Sequence, residues 1–439
     1  MRKHMRWAAV PGPRSLSSRA MTASPRPSEP EAFRFWLKLG CISFGGPAGQ
    51  IAIMHDELVE RRRWISERRF LHALNFCMAL PGPEAQQLAS YIGYSMYGVR
   101  GAITAGGLFV APSFVLLCGM SAIYVEYGEV TAIAGIVRGL GAAVIALVAA
   151  ALIRIGGRVI HDAAGLVLAA AAFVLIVLGV PFPIVIAAAA LVGYLVGRRG
   201  HPLLPGGDAH VPGGGEPADE SAAPLESGLR RRFLLSLAIW LIPVAVLLLA
   251  GGFVAQLAGF FTLAALITFG GAYAVLPFVA SAAVNHYGWL TSQDMVAGLA
   301  LGESTPGPLI MVNTFVGFVA AYNVEGGLAW GLLGATIVTL CTFVPSFVFI
   351  ISGAPVIDRI RHTGSFAHSL QGVTIAVVGV IAALAVFVAR HAAFPGGDPD
   401  WLVIPLAAAA FIGVWRFRVG VVTTVVACAL VGLAASLVG

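Results

Sequence analysis

Two short strings in this sequence could handle a charged solute in an apolar setting, and both occur twice. Phe44-Gly45-Gly46 is followed by Pro81-Gly82-Pro83, and Phe269-Gly270-Gly271 by Pro306-Gly307-Pro308, each 225 positions after its counterpart. Proline lacks the N–H that a helix needs and clashes with the preceding turn, so the strings interrupt any helix that contains them. Glycine lets a solute approach the backbone closely. Helix ends at such breaks present free N–H groups and partial positive charge, which suits an anion. Polar side chains gather nearby: Lys38 and Ser43 before the first break, and Glu84, Gln86 and Gln87 after Pro83. Glu303, Ser304 and Thr305 precede Pro306, with Asn313 beyond. The candidate solute-binding positions are therefore Lys38, Ser43, Gly45, Gly46, Pro81, Gly82, Pro83, Gln87, Gly270, Gly271, Ser304, Thr305, Pro306, Gly307 and Pro308. The competing role for the prolines and glycines is that of packing kinks. Glu84 and Glu303 are the candidate proton carriers, because intramembrane carboxyl groups are costly and an apolar surrounding favours their neutral form. Capping of a half-helix N-terminus is their alternative role.

The setting follows from composition. Of 439 residues, 58% are hydrophobic and 11% charged, with a mean hydropathy of +0.88. Soluble domains carry about 25% charged residues, so nearly all of this chain belongs in lipid. Apolar runs without strict alternation specify helices rather than a β-barrel. The expected fold is an all-α polytopic membrane protein with broken or re-entrant helices. The net charge of +6 sits mostly in short loops beside apolar segments, where it sets orientation; nucleic acid is not an expected partner. Cys41, Cys77, Cys118, Cys341 and Cys428 lie in apolar segments without CxxC or His/Cys ligand spacing, so neither disulfides nor a structural metal is expected. No GxSxG, Walker A, HExxH or Rossmann string stands in a suitable context. An enzyme, a cofactor and a primary pump are not expected.

Those residues must be positioned by two related halves. Residues 1–32 form a basic tail, with six Lys/Arg and no acid before Glu29; it reads as a disordered cytoplasmic tail, with a transit-peptide-like composition as the alternative. Residues 33–199 are the first repeat. Its apolar segment 33–54 precedes a loop holding Arg61, Arg62, Arg63, Arg68 and Arg69, which the positive-inside rule makes cytoplasmic. With both ends on one side, that segment is expected to be a re-entrant hairpin, and 70–97 likewise. Spans 101–125 and 132–153 follow, and 163–197 divides into two helices at Pro181-Phe182-Pro183. Residues 200–229 are a cytoplasmic Gly/Pro linker, and the helix in 230–257 has no counterpart and inverts the second repeat, 258–439. The loop matching the arginine-rich one, Asn285 to Asp294, has no Lys or Arg. Later basic clusters, Arg359/Arg361 and Arg416/Arg418, then fall inside. This is the inverted-repeat plan of many secondary transporters; the alternative, in which every apolar segment crosses, places five arginines outside. Further anchors are Trp64 and Trp289, read as interfacial, and Pro112-Ser113-Phe114 with Pro345-Ser346-Phe347 at an offset of 233. Arg138-Gly139 matches Gln371-Gly372 at that same offset. Lys38 matches the apolar Leu263, so only the first half would supply a cation; snorkelling to the interface is the rival reading. Arg138 has the same two readings, and Arg100 is expected to snorkel.

At these residues the chain resembles the chromate ion transporter family in its long, two-domain form. Phe35-Trp36-Leu37-Lys38-Leu39-Gly40 and Ser43-Phe44-Gly45-Gly46-Pro47 resemble that family's opening motif. Leu80-Pro81-Gly82-Pro83-Glu84, Gln87-Leu88-Ala89 and Tyr91-Ile92-Gly93 resemble its second, and Thr268-Phe269-Gly270-Gly271, Thr305-Pro306-Gly307-Pro308 and Phe315-Val316-Gly317-Phe318 the second domain's versions. The resemblance implies a multi-pass transporter of the bacterial inner membrane that exports chromate, driven by the membrane potential or a proton gradient. Sulfate, close in shape and charge, is the alternative substrate. The N-terminus is expected in the cytoplasm and the C-terminus outside. Expected partners are the oxyanion and the bilayer, with a homodimer left open. An anion channel and a polytopic enzyme acting on lipid-linked phosphates are the rival classes; the latter lacks a DxxD-type acidic pair.

Overall fold

The computed structural model describes residues 27–198, 229–269, 271–353 and 364–438. The tail before residue 27, the linker 199–228, Gly270 and the Arg359/Arg361 cluster lie outside the described residues. Among the described residues there are sixteen α-helices and no strand. The first half holds α1 (Glu29–Ile42), α2 (Gly46–His55), α3 (Glu67–Ala79), α4 (Glu84–Tyr127), α5 (Thr131–Val159), α6 (Ala163–Val177) and α7 (Phe182–Arg198). After α8 (Leu229–Leu249) come α9 (Gly252–Leu266), α10 (Ala272–Ser281), α11 (Ser292–Ser304), α12 (Val312–Glu325), α13 (Leu328–Gly353), α14 (Gly364–Ala393), α15 (Val403–Arg416) and α16 (Val421–Val438). Five of them (α4, α5, α13, α14 and α16) are long and apolar enough to cross a bilayer.

The Gly/Pro strings break the chain where expected. The 14 residues of α1 reach about 21 Å at 1.5 Å per residue, short of a hydrocarbon core of roughly 30 Å. Here α1 and α2 are half-helices on either side of Phe44-Gly45, α9 and α10 likewise around residues 267–271, and α3 and α11 end at the two Pro-Gly-Pro strings. Matching local signals build matching elements. Ser66 caps α3 by accepting the Arg69 N–H, and Thr291, 225 positions later, caps α11 in a capping box with Asp294. Both α2 and α10 run on into a π-helical turn, at Asp56–Arg61 and Ala282–His286. The chain reverses within α4 at Tyr97 and Gly98, whose backbone is non-helical. Its two arms then lie antiparallel, with Gly93 against Gly101 and Ala105. The reversal at Gly326-Gly327 folds α12 against α13 in the same way, with Gly317 against Gly334 and Val338.

The halves exchange their later helices. α5 packs along α15 and α16, and α14 along α6 and α7. The matched glycines lie at these crossings: Gly139 meets Cys428 and Gly432, and Gly372 meets Ala189 and Gly193. Small residues let helices approach in lipid, where no hydrophobic force drives them together. Trp289 is a correction: rather than an interfacial anchor it is 4% exposed, stacked on Tyr287 with ring centroids 4.1 Å apart. Trp64 is half-buried beneath the Arg62 guanidinium.

Arg138 is not free for a solute. Its Nε and Nη2 donate to Asp400 Oδ2 and Oδ1 at 2.6 and 2.8 Å, tying α5 to the loop before α15. Asp400 Oδ1 also accepts the N–H groups of Leu402 and Val403 at 2.9 and 3.0 Å. Burial opposes ionisation of Asp400, but the Arg138 hydrogen bonds and the two N–H groups outweigh it, holding the carboxyl below its ordinary 3.8. Asp400→Ala should lower stability by about 2 kcal/mol, from a lost charged hydrogen bond and a lost cap, read as thermal unfolding in detergent. A carboxyl depressed on folding stabilises fully above its unfolded value and ceases to as pH falls through its folded value. The gap between wild type and Asp400→Asn should therefore hold from neutral pH down to the ordinary aspartate range and close below it.

Candidate functional site

Each Pro-Gly-Pro string contains a single N–H, that of its glycine, and in both strings this N–H crosses to the other half. Gly82 donates to the Thr268 carbonyl and Gly307 to the Ser43 carbonyl, each at 2.8 Å. Ser43 and Thr268 correspond at the offset of 225, and their hydroxyls donate back to Leu39 and Ala264 at 2.6 Å. The end of each broken helix is thus closed by the opposite half's break. Gly82 and Gly307 have φ of +123° and +113°, which side-chain-bearing residues rarely adopt. A Cβ on Gly82 would lie 2.5 Å from Ser346 Oγ and 2.7 Å from Gln87 Nε2; one on Gly307 would lie 2.7 Å from Ser113 Cβ.

Side chains of the first half complete the crossing. Gln50, on α2, donates through Nε2 to the Gly307 carbonyl at 2.5 Å and the Ser43 carbonyl at 3.3 Å. Gln87, in the first turn of α4, donates to the Pro81 carbonyl at 2.7 Å and Ser346 Oγ at 3.4 Å. Buried around them, Gln50 Oε1, Gln86 Oε1, Gln87 Oε1, Ser113 Oγ and Asn313 Oδ1 have no hydrogen-bond partner among the described residues. In lipid such groups persist only where protein or a watery cavity covers them.

The two carboxyl groups flank the glycine breaks. Glu303, at the end of α11, is 6% exposed, and its Oε1 accepts the Tyr273 hydroxyl at 2.6 Å. The Tyr273 ring lies 4.0 Å from where a Cβ on Gly46 would stand. Glu84 opens α4 just after Pro83, and its Oε1 lies 3.8 Å from the Cβ position of Gly271. Gly45 has open space around it, and the first N–H groups of α2 have no acceptor within their own helix. One polar zone thus holds backbone donors, amides and two carboxyl groups.

Of the expected residues, Ser43, Gly46, Pro81, Gly82, Gln87, Gly271, Gly307, Glu84 and Glu303 meet here, with Gly45, Pro83, Pro306 and Pro308 shaping the breaks. Ser304 and Thr305 are adjacent, but their hydroxyls donate to Leu301 and Gly302 of their own helix. Lys38 stands apart, exposed on the outer face of α1. Sequence reasoning missed Gln50 and Tyr273 and used Ser113 and Ser346 only as repeat markers. Gln50 was accessible, being an amide inside the apolar segment 33–54; Tyr273 read as one more core aromatic. Gly82→Ala and Gly307→Ala should each destabilise the protein by about 1–3 kcal/mol through backbone strain and, to similar extents, lower its thermal unfolding temperature. Valine at either position should abolish transport while membrane insertion persists.

The chromate transporter family's sequence model matches residues 30–194 and 255–433. The chain is 32% identical to the "Chromate transport protein" of Pseudomonas aeruginosa over 96% of both chains. It is 29% identical to the "Probable chromate transport protein" of Synechococcus elongatus over 82% of this chain and 84% of that one. The "Chromate transport protein" of Cupriavidus metallidurans is 28% identical over 81% of this chain and 82% of its own. No solved structure matches. Relatives with transport names, a family match across both halves and an all-helical membrane fold agree, and the chain belongs to the chromate transporter family.

Proposed function

We propose that this protein is a secondary transporter that carries chromate out of the cell, binding it where the glycine breaks of the two halves meet. The observation that carries the reading is the reciprocal crossing of Gly82 with Thr268 and Gly307 with Ser43. It forms one polar centre from both halves, in the manner of carriers whose site lies at a repeat interface. Chromate is a tetrahedral dianion, suited to backbone N–H groups and helix N-termini. The relatives' names point to the same solute, and sulfate, matched in shape and charge, should compete. Glu84 and Glu303 lie beside the breaks and are the groups through which a proton gradient would act, Tyr273 holding Glu303 in place. A site between repeats favours a carrier over a channel, because alternating access needs a fixed centre between two moving units.

Inversion of the second half belongs to this reading. It is supported by the ties of the two matching loops. Arg62, in the arginine-rich loop, reaches Glu31 near the start of α1. Asp294, in the other, accepts from Tyr124 near the end of the long arm of α4. With Cys41 replaced, a cysteine at Ser66 should label only from the cytoplasm and one at Ser292 only from outside; labelling of both from one side would remove the inversion.

Coupling is read in everted vesicles. Glu303→Gln and Glu84→Gln keep shape and remove titration, so the coupling residue's variant should bind chromate yet lose accumulation driven by a pH gradient. Tyr273→Phe should shift the pH profile of transport by freeing Glu303 while leaving chromate affinity within about threefold, the scale of one neutral hydrogen bond. An unchanged response to the pH gradient in both glutamate variants leaves the membrane potential as the driver.

A further inference from the structure

The outer face of α1 carries two cations that the transport centre does not use. Ala32, Phe35, Trp36, Leu39 and Gly40 are buried, whereas Phe33, Arg34, Leu37, Lys38, Cys41 and Ile42 are exposed. Arg34 and Lys38 are one turn apart and share a face. With Ser28, Glu31, Phe35 and Arg62 they line a cavity of about 320 Å³. Arg62 is already engaged, by Glu57 at 3.3 Å and Glu31 at 3.4 Å, and by the Phe35 and Trp64 rings beneath it. Arg34 and Lys38 meet no acid within ion-pair distance among the described residues. The preceding sequence cannot neutralise them either, since residues 1–26 contain six Lys/Arg and no Asp or Glu. Two like charges one turn apart repel; the one acid in the lining, Glu31, is held by Arg62, so among the described residues the cavity has room for a further anion.

Depth decides which anion. If the break at Phe44 lies near the bilayer midplane, 1.5 Å per residue sets Arg34 about 15 Å above it and Lys38 about 9 Å. The hydrocarbon boundary is also about 15 Å from the midplane. Arg34 thus stands at headgroup level, and Lys38 reaches the same level by extending its stem upward. Leu37 flanks Lys38, and below it Cys41 and Ile42 continue the exposed face toward the break. A free oxyanion has no use for that apolar face; a lipid acyl chain does.

We propose that this cavity binds the phosphate headgroup of an anionic phospholipid in the leaflet at the arginine-rich turn, with an acyl chain along Cys41 and Ile42. The lipid would fix α1, whose far end supplies the Ser43 carbonyl to the crossing. This inference rests on α1 entering the membrane and not on which solute is carried. The test uses the full-length protein in nanodiscs of phosphatidylcholine with a minor share of phosphatidylglycerol, and native mass spectrometry of the lipid retained. Wild type should hold one phosphatidylglycerol more per chain than Arg34→Gln/Lys38→Gln, with affinity falling roughly fivefold per cation removed. The charge-keeping Arg34→Lys/Lys38→Arg variant should retain the lipid, which separates lost binding from lost folding. Inorganic sulfate at millimolar levels should not displace it. Equal retention in wild type and the glutamine variant overturns the proposal, as does displacement by sulfate, which would make the cavity a station for free oxyanion.

Discussion

Two backbone hydrogen bonds hold the centre of this molecule, from Gly82 to Thr268 and from Gly307 to Ser43. A Pro-Gly-Pro string has only one N–H, and an unpaired N–H within a bilayer costs several kcal/mol. Neither half closes its own break: each glycine N–H is taken by a carbonyl of the opposite half. Each half therefore completes the other, and the joint persists only as a pair. The left-handed backbone at both glycines, and the serines packed against them, follow from that exchange.

The joint is reciprocal in its backbone and lopsided in its side chains. Gln50 and Gln87 supply amide donors from the first half, where the second half has Val275 and Val312. Glu303 and Tyr273, hydrogen-bonded to each other, come from the second half. Duplication thus provides the frame, and divergence within it provides a centre with distinct donor and carboxyl sides. Under the proposed carrier role, such a division would place the anion on backbone and amide groups and the proton a short distance away.

Around this centre the helices pack closely across the two halves. The exchange of α5 and α14 between halves, with Gly139 and Gly372 at the crossings, produces close interhelical contact over several turns. The bidentate Arg138–Asp400 pair adds a tie at the edge. The half-helices α1, α2, α9 and α10 end in glycine turns instead. Closely packed outer helices around inner helices broken at glycine would suit the rocking carrier proposed above.

The sequence by itself determined the membrane class, the repeated strings and where they interrupt the described helices. These rest on local rules: apolar length, the missing N–H of proline and the fixed offsets of 225 and 233. It also singled out Glu84, Glu303 and Gln87, because polar groups within apolar runs are conspicuous. Only the tertiary structure decided where the N–H of each Pro-Gly-Pro string goes, since its acceptor is remote in sequence. Only the tertiary structure put Gln50, Ser113, Ser346 and Tyr273 at the centre and Lys38 at the periphery. The reason is helical geometry: residues on one helix point to opposite faces, and a cation's sequence distance from a break does not say toward which face it turns. Arg138 was ambiguous for the same reason, as its partner Asp400 lies 262 positions away.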